Sequence, residues 1–168
     1  MVIACEVILT IAMVVVIYLD ATRFVIPNWL NGALFAVFPV MALLIPTSFD
    51  WLASLYMFGA LFALGFGLFA LNVMGGGDVK LLAVMGLYVG WSKLGLEFLF
   101  YMSLIGGALS VLLLIIRQIA PAIWIKLGLK IIPRILTIGE PIPYGLAIAG
   151  SFLFMLWSRI LPVFVIGQ

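Results

Sequence analysis

The stretch from Leu94 to Ile116 carries one charged residue, Glu97, and no proline. A run of that length and polarity has one stable setting, a helix in lipid. Without water, backbone N–H and C=O groups must be satisfied within the segment itself. Five more apolar runs follow the same logic: Val2 to Leu19 (broken only by Glu6), Trp29 to Ile45, Trp51 to Leu71, Val79 to Trp91, and Ile142 to Ile160. Hydrophobic residues make up 67% of the 168 positions and charged residues 8%. Soluble domains carry roughly a quarter charged residues, so a soluble globular fold and a disordered chain are both excluded. The expected fold class is an all-α polytopic membrane protein of about six transmembrane helices, forming a single domain over residues 1–168. The first run lacks a basic start and a small-residue cleavage site before Asp20, so it reads as a span and not as a signal peptide.

The run from Val79 to Trp91 would make only about 20 Å of helix. Either its ends extend, or the preceding loop, Asn72 to Asp78, dips into the membrane. The glycines Gly59, Gly65, Gly67, Gly106 and Gly107 are expected to allow close helix packing. Arg117 to Glu140 mixes four bases with Ile, Leu and Trp124, and Pro121 and Pro133 interrupt it. It reads as an interfacial segment along the membrane surface; the alternative, a seventh span, would have to bury Lys126 and Lys130. Orientation follows from Lys and Arg. The loops after the first, third and fifth runs hold Arg23, Lys80, Arg117, Lys126, Lys130 and Arg134; the opposite side holds Lys93 and Arg159. The first group is expected to be cytoplasmic, which places both termini outside.

The composition removes most catalytic chemistries. There is no histidine and a single cysteine, Cys5. A Ser-His-Asp triad, a Cys-His pair, a His-ligated metal and an intrachain disulfide are therefore excluded, and no metal or cofactor is expected. A net charge of +2 with dispersed bases argues against nucleic acid. What remains is the carboxylates. Asp20 ends the first run and Asp78 opens the fourth, and the two full spans between them return the chain to the same membrane face. Each alone is a plausible helix-end residue, with Asp78 capping the helix that follows. Together they suit a different task. At about 4 Å and an effective dielectric near 20, two carboxylates repel by about 4 kcal/mol. Such a pair holds one proton between them: one member acts as a base on water while the other, protonated, polarises a carbonyl. Gly75-Gly76-Gly77 before Asp78 is costly in backbone entropy and permits close approach of a substrate or a helix. It is not a phosphate loop, since the Lys-Ser/Thr pair and its spacing are absent.

Asp20-Ala21-Thr22-Arg23 with Ile26-Pro27-Asn28 resembles the first aspartate motif of bacterial type IV prepilin peptidases. Gly75-Gly76-Gly77-Asp78-Val79-Lys80-Leu81 resembles their second, GxGD, motif, and Ile142-Pro143-Tyr144-Gly145 a third family feature. Order, spacing and length are similar to the small prepilin peptidases of Tad/Flp pilus systems. The resemblance implies a multi-pass aspartic endopeptidase of the bacterial inner membrane. It would remove the short basic leader of a prepilin at the cytoplasmic face, cutting after a glycine, with Asp20 and Asp78 as the catalytic pair. Larger members carry an extra cytoplasmic domain and N-methylate the new terminus. No such insertion separates the first two runs here, so methylation is not expected.

Supporting roles fall to Arg23, Asn28, Gly75, Gly77, Lys80 and Tyr144. Arg23 is read as an anchor or a holder of Asp20, Asn28 as a cap or a site ligand, and Lys80 as a tuning charge or an interface marker. Gly75 and Gly77 shape the loop, and Tyr144 is a hydrogen-bond donor or an interfacial aromatic. Glu140 reads as a solvated loop residue. Glu6, Asp50 and Glu97 belong to the opposite face. Two other readings are compatible with the residues alone: a proton-linked transporter using the aspartates as a relay, and a non-catalytic assembly subunit in which they are only turns and caps.

Overall fold

The computed structural model of the chain describes residues 2–44, 49–128 and 133–158. Its regular structure is helical: α1 (Val2–Arg23), α2 (Asn28–Leu44), α3 (Trp51–Ala70), α4 (Gly76–Val89), α5 (Lys93–Lys126) and α6 (Tyr144–Trp157), with a 3₁₀ turn at Arg134–Leu136 before α6. Among the described residues α1, α3 and α5 are long and apolar enough to cross a membrane. Large apolar side chains face outward along the bundle, Leu104, Val111, Leu112 and Leu114 of α5 among them. In water such a surface would drive aggregation; in lipid it is the required solvent-facing surface.

Helix α4 is the centre of the bundle. Every residue from Leu81 to Val89 is buried, so its apolar residues form no stripe, as expected of a helix surrounded on all sides. Helix α3 packs along it through Ser54, Met57, Leu61 and Gly65, a spacing of three and four residues that keeps one face inward. Two glycines set this close approach. A Cβ on Gly86 would lie 3.1 Å from the Met57 backbone, and one on Gly65 would lie 3.0 Å from Val79 Cγ1. Gly106 is similarly close to Ala147. Gly59, Gly67 and Gly107 do not have the expected packing role: a Cβ on any of them would meet nothing within 4 Å. Gly59 and Gly67 fall off the helical stripe that faces α4. On α2, the backbone carbonyl of Leu34 accepts a 2.7 Å hydrogen bond from the buried Tyr88 hydroxyl of α4.

Three boundaries differ from the sequence reading. Helix α4 starts at Gly76, not Val79, so two glycines and Asp78 form its first turn. It also ends at Val89, two residues short of Trp91, so at 14 residues it is shifted along the chain and scarcely longer than the run. Helix α1 continues past Asp20 to Arg23. Helix α5 does not stop at Ile116: it runs 34 residues through Pro121 to Lys126. A proline deletes one N–H from the helical ladder, and the helix continues through it. Of the stretch read as interfacial, residues 117–126 continue α5, and residues 133–143 form a strap that contains the 3₁₀ turn. At about 1.5 Å per residue α5 reaches about 50 Å, beyond the roughly 30 Å hydrocarbon core. Lys130, Arg159, Ile160 and the Pro46-Thr47-Ser48 boundary lie outside the described residues.

Candidate active site

Three helix ends meet at one end of the bundle: the last turn of α1 and the first turns of α4 and α6. Asp20 lies one turn before the end of α1 and is 3% exposed. The helix closes when Phe24 adopts φ 54, with its N–H donating to the Asp20 carbonyl at 3.0 Å. A bulky residue in that left-handed region is uncommon. The Phe24 ring is covered by the Arg134 guanidinium, 5.3 Å from its centroid.

A carboxylate at a helix C-terminus meets the negative end of the helix dipole. Helix α6 supplies the compensation. Its first turn points free N–H groups at Asp20: the Leu146 N–H donates to Asp20 Oδ2 at 3.2 Å, and the Gly145 N–H interacts with the same carboxylate. The approach is so close that a Cβ on Gly145 would stand 2.6 Å from Asp20 Oδ2 and 2.8 Å from Ile26 Cδ1.

Asp78 occupies the third position of α4 and reaches back to the N–H of Gly75, the residue capping that helix. This is the reciprocal contact of a helix N-terminus, with a glycine where a capping side chain would stand. A Cβ on Gly75 would sit 3.0 Å from Asp78 Oδ2. The Gly145 N–H also interacts with Asp78, and the two carboxylates act electrostatically on one another. Both line one cleft of about 460 Å³, walled by Phe24, Phe69 and the segments Asn72–Gly75 and Pro141–Tyr144.

Ile26 joins the three motifs. It is 4% exposed. Its backbone carbonyl would be 3.0 Å from a Cβ on Gly77, and its side chain presses on Gly145. The turn after α1 thus packs into gaps that two glycines leave in α4 and α6. Gly77 is also tied to α2, its carbonyl accepting from Asn31 Nδ2 at 3.1 Å.

The remaining expected residues separate. Gly75, Gly77 and Tyr144 are at or beside the cleft. Lys80 is turned away from the pair: its ammonium donates to Asn28 Oδ1 at 2.7 Å, an exposed bond between α4 and the start of α2. Asn28 therefore serves that bond and not the site. Arg23 is exposed and forms no part of the cleft wall. The Glu140 carboxylate pairs with Arg134 at 2.8 Å. Asp50 caps α3, accepting from the Ala53 N–H at 2.9 Å, and Glu97 pairs with Lys93. Among the described residues no three His, Cys, Asp or Glu side chains cluster as a metal site would need. The sequence reading quoted Ile26 and Gly145 within the motifs without giving either a role at the site, and it did not single out Leu146. Gly145 had a usable signal: a glycine in the first turn of an apolar helix is unfavourable unless something approaches it closely.

Fold and site define a helical, multi-pass membrane protein with a paired-carboxylate cleft at one end of its bundle. Residues 7–111 match the type IV leader peptidase family, more than half of the chain, and the protein belongs to that family. It is thus a protease of the leader-peptidase kind, and the class of substrate this implies is a prepilin. No curated protein and no solved structure matches the chain.

Proposed function

We propose that the protein is an aspartic endopeptidase that removes the leader of Flp-type prepilins, with Asp20 and Asp78 as its catalytic pair. The observation that carries this reading is the shared cleft: two carboxylates interact there, and the first amides of α6 reach both. One carboxylate takes a proton from water as the oxygen attacks the scissile carbonyl. The other, protonated, donates to that carbonyl oxygen. As the tetrahedral intermediate collapses, the C–N bond breaks, the nitrogen takes the proton that the first carboxylate drew from water, and the second carboxylate recovers its own. The leader leaves with a new carboxylate and the pilin with a new amine. The N-terminal amides of α4 and α6 hold the charged carboxylate in place.

The whole chain acts as one domain with about six spans in the bacterial inner membrane. The aspartate end faces the cytoplasm, where the excess of bases belongs, and both termini face outward. Water enters from that side, and the substrate's basic leader is presented there. A relay for proton transport would place acids near the bilayer midplane; here they stand at helix ends.

The test is processing of a co-expressed Flp-type prepilin in membranes, followed by its size shift. Asp20→Asn and Asp78→Asn abolish cleavage at normal protein levels, and Glu6→Gln and Glu140→Gln retain it. Cleavage by either Asp variant at the wild-type rate refutes the assignment.

A further inference from the structure

Arg117 is 5% exposed in α5, although its place after an apolar run suggested only a membrane-surface base. Its guanidinium is spent on three backbone carbonyls of the strap. Nε donates to Ile135 O at 2.9 Å, one terminal nitrogen to Glu140 O at 2.6 Å, and the other to Pro141 O at 3.0 Å. These acceptors are neutral, and the Glu140 side chain is turned to Arg134. Burying a guanidinium against neutral carbonyls is unfavourable unless the geometry is good and the groups are well satisfied. A planar fork with several fixed donors meets that condition, and a lysine ammonium does not.

The segment held this way leads directly to the cleft. Pro141 begins the cleft wall that runs to Tyr144, and Gly145 and Leu146 follow with the N–H groups that face Asp20. Pro141 and Pro143 fix two of the backbone angles in between, so the link from clamp to carboxylate is short and stiff. At the other end of the strap Arg134 lies over Phe24, just beyond Asp20.

We propose that Arg117 is a positioning residue for the aspartate pair, clamping the strap so that α6 presents its first amides to Asp20. The inference rests on the reading of Asp20 and Asp78 as catalytic. It adds a residue beyond the matched stretch 7–111 and assigns it a role in turnover that does not depend on substrate contact.

The test uses the full chain in detergent or nanodiscs with a prepilin substrate, measuring kcat and KM per folded molecule alongside thermal melting. Arg117→Lys and Arg117→Gln lower kcat about tenfold or more with KM within about threefold, and Lys126→Gln, an exposed base of the same helix, behaves as wild type. Gly145→Ala lowers kcat through the same contact, so the Arg117→Lys/Gly145→Ala double variant falls well short of the product of the two losses. Pro141→Gly keeps Arg117 but loosens the link, and it too lowers kcat. This variant decides the matter if the Arg117 variants do not accumulate. Wild-type kcat per folded molecule in the Arg117→Lys or Pro141→Gly protein overturns the proposal. So do losses that multiply in the double variant, or an effect confined to KM or melting. If Asp20→Asn and Asp78→Asn abolish cleavage while these variants do not lower kcat, only the clamp is wrong. If the Asp variants cleave normally, the catalytic pair itself is wrong and the clamp falls with it.

Discussion

Gly145→Ala is the sharpest probe of the site, because it adds one methyl group and alters no charge. The new Cβ would stand 2.6 Å from Asp20 Oδ2, so something must retreat by about 0.8 Å to restore an ordinary 3.4 Å separation. Ile26 gives little room. It would be 2.8 Å from the same methyl, and its backbone is already against Gly77. The start of α6 therefore backs away from Asp20, and the 3.2 Å bond from the Leu146 N–H opens to about 4 Å, beyond hydrogen-bond range. A bond to a charged group contributes about 1.5–3 kcal/mol, which corresponds to roughly a 10- to 150-fold loss of kcat. Stability falls by about 0–2 kcal/mol. Overpacking costs about 1–3 kcal/mol, and replacing a helical glycine by alanine returns about 1 kcal/mol. The assay is prepilin cleavage by purified protein in nanodiscs, with melting measured on the same sample. Gly107→Ala serves as the matched control, since its Cβ would meet nothing within 4 Å. A Gly145→Ala protein that melts normally and cleaves at the wild-type rate would refute the contact between α6 and Asp20.

Two further outcomes follow from the packing. Gly86→Ala places a methyl 3.1 Å from the Met57 backbone, which cannot rotate aside; it lowers stability by about 1–3 kcal/mol, read as a fall in melting temperature with no matching fall at Gly107→Ala. Lys80→Gln removes a charge two residues from Asp78, yet cleavage stays within about threefold, because the ammonium is engaged by Asn28 at an exposed site and exposed pairs contribute about 0–1 kcal/mol; a loss above about tenfold in the cleavage assay would show that Lys80 acts on the pair.

The membrane class was readable because it follows from composition and run length, which need no tertiary information. Asp20 and Asp78 were readable for a related reason. The lipid makes charge rare, so the few carboxylates stand out, and counting spans puts these two on the same side. The course of α5 was not readable, because Pro121 and the bases after Ile116 look the same in a helix as at a surface. Arg117 could not be told from its neighbours Lys126 and Arg134 by residue type, since its burial depends on carbonyls 18 to 24 positions away. Lys80 misled in the opposite sense. Nearness in sequence to Asp78 suggested a joint role, but on α4 a separation of two residues turns the side chains to different faces.

The amides facing Asp20 also went unread, because backbone donors leave no residue type behind. Helix ends are where unpaired backbone N–H groups occur inside a membrane protein. A site built from the first turns of two helices therefore gains donors without adding polar side chains to the bilayer. The requirement such a site places on sequence is small side chains, so that a carboxylate and a neighbouring turn can come close. Gly75 beside Asp78, Gly77 under Ile26, and Gly145 against both Ile26 and Asp20 satisfy it. On this argument the three glycines matter for what can approach them more than for backbone freedom. Each lies at an ordinary negative φ, unlike Gly90, Gly128 and Gly139.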